Sequence, residues 1–192
     1  MRFDPCDRST NFIGDDLGNG DWKWSGAVLG PHGNVYGIPF YHNYILKIDI
    51  AAQTTSLVRP DLGEGKRKYH GGVVGQDKCI YMAPSRAEFV LKFNPRTGVT
   101  STVGESLGDV NDKYSGGMLA SNGYIYFTPK NAKQVLKVKS WNNWLYLKAR
   151  LLVEQRRAEG KTIDESDDEM SLVQQFIIHA NDDVFRTALE MM

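Results

Sequence analysis

The chain has 192 residues, 41% of them hydrophobic, with 23 basic and 23 acidic side chains and a formal net charge of zero. That length allows one or two domains with a sizeable core, while the balanced charge removes any global electrostatic case for a nucleic acid or a membrane surface as partner. Mean hydropathy is −0.41, and no apolar run approaches the ~18 residues of a membrane helix. The opening MRFDPCDRST lacks the apolar core of a signal peptide. Cys6 and Cys79 are too few for a disulfide framework and read as reduced thiols, which fits a cytoplasmic setting.

In chain order, the first element is the end of a strand at Phe3, followed by a Thr-containing strand over Ser9–Ile13. This stretch, FDPCDRSTNFIG, aligns with FNPRTGVTSTVG from Phe93. The segment KWSGAVLGPHGNVYGIPF begins at Lys23, and it recurs as KYHGGVVGQDKCIYMAPS from Lys68 and KYSGGMLASNGYIYFTPK from Lys113. The offset is 45 residues each time, without a gap. Gly26, Gly71 and Gly116 align, as do Tyr36, Tyr81 and Tyr126, then Pro39, Pro84 and Pro129, then Leu46, Leu91 and Leu136. A fixed period in this range means a solenoid, a propeller or an array. Each period reads as four short strands. In the second copy these are GGVV, CIYMA, FVLKFN and VTSTV, separated by Pro, Gly, Asn and Asp. The turn after the first strand carries His32-Gly33, Asp77-Lys78 and Asn122-Gly123, placing positive φ at a two-residue hairpin. The proline after each second strand ends it, because it cannot donate to a ladder.

After Val138 the period stops. Trp141, Trp144, Leu145, Leu151 and Leu152 follow a helical spacing, with Ser140 as cap and Gly160 as stop. An acidic connector leads to a second helix over about Asp167–His179, with Met170, Val173, Phe176 and Ile177 on one face. A short third helix opens at Asn181. The expected organisation is therefore residues 1–139 as three β repeats and 140–192 as a helical segment.

Four antiparallel strands in about 45 residues make the blade of a β-propeller. The unit resembles blade repeats of the form W-S-G-G-V-L-x-x-x-G-x-I-Y-x-x-P followed by V-L-K-I-D-P-x-T-G, found in a propeller family of unicellular eukaryotes that carries no agreed activity. The resemblance covers residues 1 to 139. It shares the double glycine of kelch repeats without their later Trp, and lacks the Trp-Asp of WD40 repeats. It is also similar to lactonase-like and streptogramin-lyase-like propellers, although their acidic and Asn metal ligands are not recognisable here. The expected fold is mainly β, a partial or open propeller with a small helical C-terminal segment. Propellers have four to eight blades, so three periods read as part of a longer ring or an open stack, ahead of two chains sharing a six-bladed ring. Exposed edges of an open arrangement invite self-association.

Few residues suggest chemistry. GEGKRK at 63–68 lacks the full phosphate-loop pattern and sits between strands. DVNDKYSG from Asp109 lacks the central Gly and distant Glu of an EF-hand. His32, His42, His70 and His179 have no paired spacing for zinc. No nucleophile motif, metal site or cofactor is expected. The loops between blades and between second and third strands share one face, where a rigid scaffold usually carries function. Lys23-Trp24, Lys68-Tyr69 and Lys113-Tyr114 recur there; Tyr41, His42, Arg86, Asn131 and Lys133 vary. His70 stands where the other copies have Ser25 and Ser115. The expected ligand-binding set is Lys23, Trp24, Lys68, Tyr69, His70, Arg86, Lys113 and Tyr114. Either the aromatic wedges between blades under the lysine stem, a framework role, or three ammonium groups gather near the channel mouth and attract an anion. The expected function is a non-enzymatic binding or scaffold module for a protein partner or small anionic ligand. The alternative is a hydrolase- or lyase-type propeller enzyme acting in the central channel.

Overall fold

The computed structural model describes residues 2–3, 10–140 and 158–159. Of the expected helical segment, all but Ser140, Ala158 and Glu159 lies outside the described residues. The β repeats form three antiparallel units at the predicted spacing, two with the expected four strands and the third with three among the described residues. The first is a four-stranded sheet of β3 (Trp24–Leu29), β4 (Val35–Pro39), β5 (Ile45–Asp49) and β6 (Thr54–Val58). The second contains β7 (Tyr69–Val74), β8 (Ile80–Pro84), β9 (Val90–Phe93) and β10 (Thr100–Val103). The third contains β11 (Tyr114–Leu119), β12 (Tyr124–Pro129) and β13 (Leu136–Lys139). All three are antiparallel meanders in chain order. Ahead of them β1 (Arg2–Phe3) pairs with β2 (Thr10–Asn11), Phe3 opposite Thr10, as Phe93 stands opposite Thr100. No helix among the described residues is long and apolar enough to cross a membrane.

The repeat extends to irregularities. Trp24, Tyr69 and Tyr114 stand opposite Pro39, Pro84 and Pro129, and in each sheet the register then shifts across the next two residues. The bulge is made by Gly26, Gly71 and Gly116, at φ of 81°, 80° and 68°, a conformation that glycine adopts without steric cost. It also lets the innermost strands converge. A Cβ on Gly26 would stand 3.2 Å from the Gly71 Cα, and one on Gly71 would stand 3.0 Å from the Gly116 Cα. The turn after each first strand has positive φ at Gly33, Lys78 and Gly123. It is longer than a two-residue hairpin. In the second copy Gly75 N–H donates to Cys79 O (2.8 Å) and Asp77 Oδ1 accepts from Cys79 N–H (3.2 Å), which steadies Lys78 in a conformation glycine would hold more easily.

The core lies between the sheets. Tyr36, Ile38 and Ile45 of the first pack against Tyr69, Ile80, Met82, Leu91 and Phe93 of the second. Val73, Tyr81, Ala83 and Val90 of the second pack against Tyr114, Ile125, Phe127 and Val138 of the third. These are repeat-equivalent positions at both interfaces. Each fully buried Ile, Phe or Met contributes about 1.5–3 kcal/mol, so blade-on-blade packing dominates the stability of these residues. Ser140, expected as a helix cap, is fully buried, and the helix it would cap lies outside the described residues. Its hydroxyl donates to Gly123 O at 2.7 Å and accepts from Gln76 N–H at 3.2 Å, tying the end of β13 to the neighbouring hairpin.

Candidate functional site

The loops after each second strand fold back onto the residue that opens each first strand. Lys23 O accepts from Phe40 and His42 N–H, Lys68 O from Ser85 and Ala87 N–H, and Lys113 O from Lys130 and Ala132 N–H. The expected site residues therefore lie on one rim, beside the inter-blade loops, which turn through Gly18, Gly63 and Gly108. Their N–H groups are held by Asp16, Asp61 and Ser106 side chains.

Within this rim the lysines point inward. Lys68 and Lys113 are buried, 7% and 4% exposed. Lys68 Nζ donates to Gly65 O (2.6 Å), Asn43 Oδ1 (3.2 Å), and the Tyr41 and His42 carbonyls (both 3.4 Å). Lys113 Nζ donates to Gly108 O (2.7 Å), Arg86 O (3.0 Å) and Val110 O (3.1 Å). Lys23, half-buried, reaches the Leu17 carbonyl at 3.3 Å and that of Gly18. Burial pushes the Lys68 and Lys113 pKa values down despite nearby carboxylates. These two ammonium groups are enclosed by carbonyls of their own and the preceding blade's loops. Tyr69 and Tyr114 beneath them are buried, in the second and third blades' share of the core. Burial raises the Tyr69 hydroxyl to about 12.

The remaining expected residues are more open. Trp24 donates from Nε1 to Tyr44 O at 2.9 Å and lies 4.6 Å from the His42 ring. His70 stacks edge-on against Phe40 (5.7 Å), and its Nδ1 is 3.0 Å from Ser115 Oγ. Its neighbour along the innermost strands is thus the repeat-equivalent serine of the third blade. Arg86, half-exposed, pairs with Asp109 at 2.8 Å; that partner's hydrogen bond raises the arginine pKa and lowers the aspartate's.

The first blade's loops gather residues the repeat pattern did not single out. Trp22 is 68% exposed at a φ of 53° and lies 6.2 Å from Phe40, which stacks on Tyr41 at 5.2 Å. Lys66 Nζ stands 5.6 Å over Tyr41 and the Arg59 guanidinium 5.5 Å over Tyr44. Tyr44 donates to Asp61 Oδ2 at 3.0 Å. Arg67 and Asp112, equivalents of Trp22, form an ion pair at 3.2 Å across neighbouring blades. All three residues keep positive φ while their chemistry changes completely. The change of side chain is visible in the alignment of the copies; the constant backbone is visible only in the structure. Among the described residues no group of His, Cys, Asp and Glu is placed to hold a metal ion.

No protein-family model matches the sequence, and neither does a curated protein. Solved structures do match. Virginiamycin B lyase from Staphylococcus aureus superposes with a TM-score of 0.50 at 13% identity over 64% of this chain and 43% of that one. A streptogramin B lyase gives 0.45 at 15% identity over 67% and 44%. An auxiliary nutrient binding protein from Bacteroides ovatus gives 0.47 at 15% identity over 63% and 29%. The chain spans less than half the length of each. The described β repeats have a propeller-like fold. Identities this low speak to the fold alone.

Proposed function

We propose that the chain is a non-enzymatic binding module that holds an anionic partner, an acidic peptide segment or a small anion, on the loops of its first blade. The observation that carries this reading is the exposed Trp22 backed by the Phe40–Tyr41 stack, with Lys66 and Arg59 over neighbouring aromatic faces. Exposed aromatics offer contact area with little side-chain entropy to lose, and cations poised on them supply charge. The enclosed Lys68 and Lys113 support the rim from within; Lys66 and Arg59 carry charge at the surface. The test is calorimetric titration of the chain with a poly-glutamate peptide and, separately, with inorganic phosphate. Binding weakened at least tenfold by Trp22→Ala and by Lys66→Met supports the reading. No binding in either arm, or binding indifferent to both substitutions, overturns it.

The enzyme reading has one observation in its favour, His70 within 3.0 Å of Ser115 on adjacent innermost strands. Hydrolysis of a small lactone or ester that is lost in His70→Ala would displace the binding reading.

A further inference from the structure

Three hydrogen bonds recur across both blade interfaces. Lys68 N–H donates to Phe40 O (2.8 Å), as Lys113 N–H does to Ser85 O (3.0 Å). Leu62 N–H donates to Asn43 O (2.9 Å), as Leu107 N–H does to Glu88 O (2.7 Å). Lys68 Nζ reaches Tyr41 O (3.4 Å), as Lys113 Nζ reaches Arg86 O (3.0 Å). The repeat frame supplies a third set. Its donors are Lys23 N–H, Leu17 N–H and Lys23 Nζ, on the first blade. Its acceptors are the carbonyls of Lys130, Lys133 and Asn131, on the third. Among the described residues neither Lys23 N–H nor Leu17 N–H has a backbone acceptor.

The apolar faces follow the same rule. Met118 and Val135 hold the positions at which Val73 and Val90 receive the next blade, yet they are 74% and 57% exposed. A Cβ on Gly116 would meet nothing within 4 Å among the described residues, whereas those on Gly26 and Gly71 would meet the next glycine. On the first blade, Leu29 is the equivalent of Val74, which packs towards the preceding blade, and it is 66% exposed. One end of the described β repeats thus carries the donors and one apolar face, and the other end carries matching acceptors and the complementary face.

We propose that a second copy of this chain docks its first blade on the third blade of its partner, and that the reciprocal contact closes a two-fold, six-bladed ring. Six lies within the four to eight blades of closed propellers, and a head-to-tail contact that closes satisfies both ends at once. In that ring Lys23 reaches the Asn131 carbonyl of the partner copy, and Gly26 backs Gly116. Thr10–Asn11, equivalent to Thr100–Ser101, then lies beside β13 as the fourth strand of that blade, with Val138 taking the place that Phe3 holds in the single chain. The loop-face site proposed above would be present twice, but the assembly does not depend on it.

Sedimentation velocity on the full chain tests this, with the ring expected at twice the 21.6 kDa chain mass. Met118→Glu and Leu29→Glu alter exposed side chains on opposite ends. Each is expected to retain the wild-type circular-dichroism spectrum and to shift the species to monomer. Mixing the two variants restores one of the two contacts, so a dimer reappears, at least tenfold weaker than the wild type. Gly116→Ala is expected to weaken the dimer as well. A chain with a dimer Kd above about 1 mM overturns the proposal. So does a mass that grows beyond the dimer with concentration, which would mean an open fibre. A dimer broken by Met118→Glu but indifferent to Leu29→Glu also overturns it, because the third blade would then be covered by something other than the first.

Discussion

Lys113→Met removes an ammonium group and keeps most of the apolar stem. Three carbonyls, those of Arg86, Gly108 and Val110, lose their donor, and one of them belongs to the preceding blade. Hydrogen bonds to a charged group contribute about 1.5–3 kcal/mol each, and an orphaned buried acceptor costs about 1–3 kcal/mol. Against this stands the cost of burying the ammonium itself, which the lowered pKa registers. The net expected loss is therefore about 2–4 kcal/mol, well below the sum of three bonds. Lys23→Met is the internal control. Lys23 is half-buried and among the described residues bonds its own loop, at Leu17 and Gly18, so its loss should be about 1 kcal/mol or less. Urea unfolding followed by tryptophan fluorescence measures both, read at a concentration where the chain is monomeric. An unchanged m-value would confirm that the midpoints report stability. Equal losses for the two variants, or a Lys113→Met midpoint within about 0.5 kcal/mol of wild type, would refute the argument that cross-blade enclosure gives these lysines their role.

Gly71→Ala should cost about 2–4 kcal/mol, since alanine at a φ of 80° is strained and its Cβ would stand 3.0 Å from the Gly116 backbone; thermal unfolding against Gly116→Ala in the monomer, where the Cβ has space, isolates the contact from the strain. Burial raises the Cys79 thiol from 9.0 to about 11. Between those values the folded chain holds a proton that the unfolded chain releases, so stability present below pH 9 is lost as pH rises towards 11, by about 2–3 kcal/mol for this group. Cys79→Ala should flatten the fall in urea midpoint over that window, and an unchanged slope would exclude the thiol as its source. Arg86→Ala breaks an exposed ion pair with Asp109 that solvent screens, so the urea midpoint should stay close to wild type, and a shift as large as that of Lys113→Met would contradict its surface character.

The blade was legible because packing needs the same residues at the same place in each copy. Gly26, Gly71 and Gly116 share a bulge, Trp24, Tyr69 and Tyr114 share an opposing proline, and Ile38, Ala83 and their neighbours share an interface. Periodicity in sequence and periodicity in space are here the same constraint. The direction of a lysine side chain is not written that way. Lys23, Lys68 and Lys113 recur identically whether their ammonium groups face solvent or close on carbonyls, because the acceptors are backbone atoms with no signature in residue type. The same blindness hid the true length of the hairpin turn, where Lys78 adopts a glycine conformation through hydrogen bonds made by its neighbours. Ser140 carries a contact that residue type does not announce: its hydroxyl accepts from Gln76 N–H in a turn of the adjacent blade.

The rim follows a converse rule that the copies themselves contain. What repeats is what the blades need from one another; what varies at a fixed backbone position is free for other use. Trp22, Arg67 and Asp112 hold φ values of 53°, 61° and 55°, so the loop geometry is constant while the side chain passes from aromatic to cation to anion. Tyr41, Arg86 and Asn131 vary in the same way directly beside them. In the second and third blades the variants neutralise each other, Arg67 with Asp112 and Arg86 with Asp109. In the first they leave an exposed tryptophan beside the Phe40–Tyr41 stack, with Lys66 over the Tyr41 ring and Arg59 over the nearby Tyr44 ring. The asymmetry between blades, more than the recurrence of any pair, is what singles out the first blade's loops as the face to test.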